Sequence, residues 1–365
     1  MNRKVAQMPQ EHESDVSDPL DEWVELARRD TEPWPSGRTE QDTIQPLSWE
    51  NGDAKLWALY RRSIADHYDL FNDVDWDALD PDAFTPEQRI GIAYWFAIDA
   101  TFEQAGTVVF ARALIGSYEA RENEALRRML LSITRDEGNH DLIGKLVCER
   151  LLPGFPYAYK PETELEWAAM RNVAWCQESV NRFWHGYKSA YAKYRFPVLL
   201  SSFASGEAVG TLTYGNLSKQ SSQPIFRQLT GYMAKDESRH FQTAAYFIRR
   251  YMPQMREDEI ATAIKNLGAS YAYFSLFMAS EPNPAFWNHL PPSWARWHER
   301  LEDHARSAGL AIASPSVKND YWREGLLRVK SITDAQGVEF LAIPELGIDG
   351  RNSPISADDI LVVGF

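Results

Sequence analysis

The five residues DEGNH at positions 136–140 return, little changed, as DESRH at 236–240. This acid-acid-x-x-His repeat constrains the fold more than any other feature of the chain. Residues three apart on a helix lie about 60° apart around its axis and project from one face. Glu137 therefore points with His140, and Glu237 with His240. A carboxylate and an imidazole so placed can grip one first-row metal ion, but two ligands are too few for a tight site. The remaining ligands have to come from neighbouring helices.

Two glutamates meet that need. Glu103 lies 34 residues before Glu137 inside the apolar stretch DATFEQAG, and Glu207 lies 30 residues before Glu237 among the small and apolar residues of FASGEAVGTL. An unpaired charge is costly in such surroundings, so its placement there needs a cause. Turns near SYEAREN and SKQSSQP would fold each half into an antiparallel hairpin and bring each glutamate level with its Glu-x-x-His. Two hairpins face to face then gather Glu103, Glu137, His140, Glu207, Glu237 and His240 in one bundle. Four carboxylates and two imidazoles are the set that holds a pair of iron or manganese ions between helices. Glu178 is a weaker rival, because Gln177 and Asn181 beside it suit a polar helix face. Asp136 and Asp236 stand four residues before each histidine, close to the ligand face. Each is expected to take the second ring N–H of a metal-bound imidazole, that of its own motif or, reaching across, that of the opposite hairpin.

The rest of the chain reads as helix. TPEQRIGIAYWFAIDATFEQAGTVVFARALIG opens on a Thr-Pro start signal and stays apolar for many turns, the mark of a long buried helix. Further helices are expected at about 120–152, from PETELEWAAM to about 194, over FPVLLSSFASGEAVGTLTYGNL as one unit, and from QPIFRQ to the residue before Pro253. Shorter ones follow at about 257–280, 292–307 and 317–332. The expected fold is an all-α helix bundle with extra C-terminal helices. Its organisation is a loosely docked arm over 1–50, a helical domain over 51–335, and a hairpin or strap over 336–365.

Composition narrows the function. The 365 residues are 44% hydrophobic, enough for a large core, and the formal charge of -14 repels polyanions. Nucleic acid is not an expected partner. No apolar run is long enough to span a bilayer and no signal-peptide pattern opens the chain, so a cytoplasmic protein without membrane contact is expected. Cys148 and Cys176 read as buried free thiols rather than zinc ligands. Tyr94, Trp95 and Phe96 read as core, His185, His289, His298 and His304 as structural, and Arg239 as an ion-pair partner near the site or at the surface.

DEGNHDLIGKL and DESRHFQTAAY resemble the two Glu-x-x-His helices of soluble acyl-carrier-protein desaturases, and SFASGEAVGTLTYGN resembles their third ligand helix. The wider likeness, over about 90–245, is to the ferritin-like di-iron oxygenases, including p-aminobenzoate N-oxygenases and bacterial multicomponent hydroxylases. The resemblance implies two iron ions, with manganese as a variant, that activate O₂ after two-electron reduction. It also implies a small organic or carrier-bound substrate and an external electron donor such as a ferredoxin or a reductase; a homodimer is a further expectation. No flavin or nicotinamide motif supplies electrons from within the chain.

Three departures bear on the reaction. Gly210 stands where the desaturases carry Thr three residues after the third ligand glutamate, and Thr211 one step on is similar to the hydroxylase Thr implicated in handling O₂-derived protons. The interval from Glu137 to Glu207 is 70 residues, longer than expected of a desaturase, with a Trp-rich stretch inside it. Met233 occupies the position of the extra histidine ligand of the N-oxygenases. These features favour oxygen insertion at carbon or at an amine or hydrazine nitrogen, as a tailoring step in specialised metabolism such as antibiotic biosynthesis. Desaturation, and iron storage or oxidation, are the alternatives.

Overall fold

A computed structural model describes residues 53–193, 195–201, 203–278 and 293–351. The arm expected over 1–50, the last part of the C-terminal strap, His289 and the side chain of His185 lie outside the described residues. The chain enters α1 (Ala54–Ala65) through Asp53, whose carboxylate accepts the N–H groups of Lys55 and Leu56. Such a cap satisfies donors that no helical carbonyl can reach.

The long helix α2 (Pro86–Glu119) starts at Thr85 with Pro86 in its first turn, and Thr85 and Gln88 close a reciprocal capping box. Every residue from Ile90 to Glu103 is buried, which is why this stretch shows no polar face in the sequence. After the turn at 120–123, α3 (Glu124–Leu151) runs back along it, capped by Asn123. Then follow α4 (Glu164–Lys193), α5 (Phe196–Ser201), α6 (Ala204–Gln220), α7 (Pro224–Tyr251), α8 (Glu257–Met278), α9 (Ser293–Ser307) and α10 (Pro315–Asp334).

The helix expected as one unit over 196–217 is two. Phe203 interrupts it, donating its N–H to Leu200 three residues back instead of four. Ser201 bonds the carbonyl of Pro197 and Ser205 that of Leu267 on α8, so hydroxyls that compete for backbone groups flank the break. The tail forms bridges Leu341 to Arg351 and Ile343 to Ile348 around a turn at Pro344–Leu346, short of a regular hairpin. Phe340, Leu341, Ile343, Leu346 and Ile348 anchor it in the core.

Two hairpins organise the bundle. α2 packs most extensively on α3, α6 on α7, and α3 meets α7 between them. α9 covers α2 and α4, and α10 covers α6 and α7. Cys148 and Cys176 are buried free thiols, and Tyr94, Trp95, Phe96 and Met233 are core. Among the described residues no helix is long and apolar enough to cross a membrane.

Candidate metal centre

Each hairpin delivers the same kit to the centre. α2 brings Glu103 and α3 brings Glu137 and His140; α6 brings Glu207 and α7 brings Glu237 and His240. Ligand atoms of Glu103, Glu137, His140 and Glu237 lie within 4.8 Å of one another, and so do those of Glu137, Glu207, Glu237 and His240. Glu137 and Glu237 thus belong to both groups. Glu178 is exposed on α4 and stands outside both.

The histidines are placed with one nitrogen inward and one outward. Nδ1 of His140 lies 3.3 Å from Glu103 and 3.5 Å from Glu237, and Nδ1 of His240 lies 3.0 Å from Glu137 and 3.3 Å from Glu207. Each Nε2 faces the aspartate of the other hairpin, His140 toward Asp236 at 3.1 Å and His240 toward Asp136 at 3.5 Å. An imidazole that gives one N–H to a carboxylate keeps a fixed tautomer and orientation. Behind this layer the buried Arg239 binds Asp236, lies 3.6 Å from Asp136 and reaches Asp66. Arg135 holds Asp136 at 2.6 Å, and Tyr68, stacked on Tyr232, donates to Asp236.

Burial pushes the Glu137 and Glu237 carboxyls well above the usual range, and neighbouring glutamates push them further. Four carboxylates in one enclosed space cannot all hold negative charge without a cation. Burial opposes the charged form of both imidazoles, yet Asp236 with Glu103, and Asp136 with Glu137, hold them well above their ordinary value. Burial also opposes ionisation of Asp136, but His240 and Arg135 bring its carboxyl down to about 2. Both ring nitrogens of His240 and Oε2 of Glu207 are buried without an aligned hydrogen bond. An inward ring nitrogen and a carboxylate oxygen without aligned partners, beside carboxylates that resist ionisation, are what two divalent cations would relieve, so the residues fit a dinuclear metal group.

Gly210 and Thr211 were singled out in the sequence, but their counterparts Gly106 and Thr107, and the pair Asp99 and Tyr214, were not. Gly106 and Gly210 each follow the first glutamate of their hairpin by three residues. A Cβ at Gly106 would overlap the Glu137 carboxylate, and one at Gly210 would overlap that of Glu237. Thr107 and Thr211 come next, and each donates its hydroxyl to the carbonyl of the glutamate four residues back. Thr211 thus has the same intrahelical bond as its counterpart. The signal was present as EQAGT and EAVGT. Asp99, one turn before Glu103, and Tyr214 complete one side of the site: the Tyr214 hydroxyl lies 2.6 Å from both Asp99 and Glu103. Burial, then Glu103, pushes the Asp99 carboxyl well up. An acid in the apolar run IAYWFAIDATF was a visible cue, whereas nothing in the sequence singles out Tyr214.

No protein-family model and no curated protein matches the chain. Among solved structures it is similar to a variant of an R2-like ligand-binding oxidase with an aerobically reconstituted Mn/Fe cofactor, at 17% identity and a TM-score of 0.51. The likeness covers 78% of this chain and 95% of that one. The chain therefore has the fold of a ferritin-like helical bundle.

Proposed function

We propose that this chain is an O₂-dependent oxygenase with two iron ions, or one manganese and one iron, that inserts oxygen at carbon or at an amine or hydrazine nitrogen of a small organic substrate. The observation that carries the reading is the pair of overlapping four-residue groups that share Glu137 and Glu237. Glu103 and His140 would hold one ion, Glu207 and His240 the other, and Glu137 and Glu237 would serve both. The neighbour of like fold, which carries a Mn/Fe cofactor, supports a mixed pair as an option. When bound, the metal pair supplies the electrons that reduce O₂ and the oxidising power that acts on substrate.

The protein's part is to hold and to shield. Asp236 hydrogen-bonds the outward nitrogen of His140 and Asp136 stands 3.5 Å from that of His240, so each aspartate would hold its imidazole with Nδ1 turned toward a bound ion. Arg239 and Arg135 offset the negative charge of those aspartates, so the supporting layer does not compete for the cations. Apolar helices exclude water from the reacting centre. Electrons come from a separate ferredoxin or reductase.

A desaturase reading is less well supported. The threonine that desaturases carry three residues after the third glutamate would have to displace the Glu237 carboxylate, which occupies the space beside Gly210. The test is to load the full chain anaerobically with Fe(II), reduce it with a surrogate ferredoxin and reductase, and add ¹⁸O₂ with aryl amines, hydrazines or acyl thioesters. Label in the product is expected. Loss of two hydrogens without label would favour desaturation, and mineral accumulation without substrate would favour storage.

A further inference from the structure

The two hairpins repeat their ligands, and the glycine and threonine that follow the first glutamate, but not every residue beside them. Counted from the first glutamate of each, position −4 is Asp99 in one hairpin and Phe203 in the other, and position +7 is Phe110 in one and Tyr214 in the other. The fold pairs them across the hairpins. Asp99 meets Tyr214 next to Glu103 and His140, and Phe203 meets Phe110 next to His240, with ring centroids 5.5 Å apart. One end of the site therefore has a hydrogen-bonded acid and phenol where the other end has two phenyl rings.

The proton inventory of that end is informative. A phenol has one proton, yet Tyr214 Oη lies 2.6 Å from oxygens of both Asp99 and Glu103. Both contacts are hydrogen bonds only if one carboxyl carries a proton, and fully buried Asp99, without a cation of its own, is the one suited to it. The order is then Asp99 to Tyr214 to Glu103 Oε1. Glu103 is left with Oε2, on the His140 side, as its available oxygen. Glu207 Oε2 has no hydrogen-bond partner, and no phenol stands at the equivalent place.

We propose that Tyr214 is a positioning residue that makes the two metal positions inequivalent: it confines Glu103 to one metal-facing oxygen, while Glu207 is free to use both. This rests on the dinuclear metal reading above. The Glu207–His240 position then fills first and the Glu103–His140 position second.

The probe is Mn(II) alone, titrated anaerobically into chelator-treated full-length protein. Equilibrium dialysis counts the ions, and electron paramagnetic resonance separates singly occupied sites from exchange-coupled pairs. Two steps are expected in the wild type, with the first removed by His240→Ala and the second by His140→Ala. Tyr214→Phe should strengthen only the second step, by about ten-fold or more, the worth of a hydrogen bond to a charged group. Asp99→Asn can still donate to the phenol and should keep both steps. General damage to the fold would instead weaken both steps in Tyr214→Phe. Two steps unchanged in Tyr214→Phe, or one class of two equal sites in the wild type, would overturn the proposal and leave the metal reading intact; no bound metal at all would overturn both.

Discussion

At the scale of single residues, the glycines beside the glutamates do as much to shape the site as the ligands themselves. Gly106 and Gly210 leave the space into which the Glu137 and Glu237 carboxylates fold. Both glycines lie inside helices, where alanine is intrinsically better by about 0.5–1 kcal/mol. Helix stability and site geometry therefore pull in opposite directions at these two positions. Gly106→Ala and Gly210→Ala should leave the melting temperature of the metal-free protein unchanged or raised, since a glutamate side chain can swing aside. The same substitutions should cut metal affinity by about ten-fold or more, the usual scale for disturbing groups that orient ligands. Calorimetric melting of the metal-free variants, set beside Mn(II) titration, checks both halves. A parallel loss of stability and affinity would mean that the glycines serve helix packing alone.

At the scale of elements, the C-terminal helices clamp the ligand-bearing ones through a buried polar network. Glu302 on α9 receives Lys318 of α10 at 2.6 Å, Arg306 at 3.0 Å and His298 at 3.4 Å, while His298 bonds the Tyr94 hydroxyl of α2. Burial opposes the Glu302 charge, but Lys318 and His298 bring its carboxyl down to about 2. Burial also pulls the Lys318 ammonium below its ordinary range, so the pair is worth less than the carboxylate alone indicates. A depressed carboxyl contributes stability that is present above its unfolded value near 4.5 and is lost as pH falls toward 2. Lys318→Met should cost about 1.5–3 kcal/mol at neutral pH, because Arg306 and His298 still partner Glu302. Its acid-side loss of melting temperature should also begin at a higher pH than in the wild type. The helices themselves were largely legible in the sequence. α3 and α7 carry helical patterning and α2 an apolar run of many turns, and each has its own start signal, Thr85 for α2, Asn123 for α3 and Pro224 for α7. The break at Phe203 was not, because it depends partly on Ser205 finding a carbonyl of α8, a contact between elements far apart in the chain.

At the scale of the molecule, the site exists only where the two hairpins meet, and this sets what could be read in advance. Spacing within each hairpin pointed to the six candidate ligands. Tyr214 could not be found that way, because its partners Asp99 and Glu103 belong to the other hairpin. The same junction joins the halves. His140 faces Asp236, His240 faces Asp136, and Arg239 lies near both aspartates. Metal ions held by both hairpins would add to that junction, and a ligand that binds only the folded state stabilises it by mass action. At a free ion concentration a thousand times the dissociation constant the gain is about 4 kcal/mol. Mn(II) should therefore raise the melting temperature of metal-free protein, and a chelator should lower that of the loaded form. Glu137→Ala and Glu237→Ala should behave in the opposite sense. Each removes a buried carboxylate whose ionisation its neighbours oppose, so the metal-free protein should be as stable as the wild type or more so. The metal-induced rise should shrink or vanish. Thermal melts of the three proteins with and without Mn(II) make the comparison. A wild type indifferent to metal, with both variants destabilised, would reduce the six residues to structural roles.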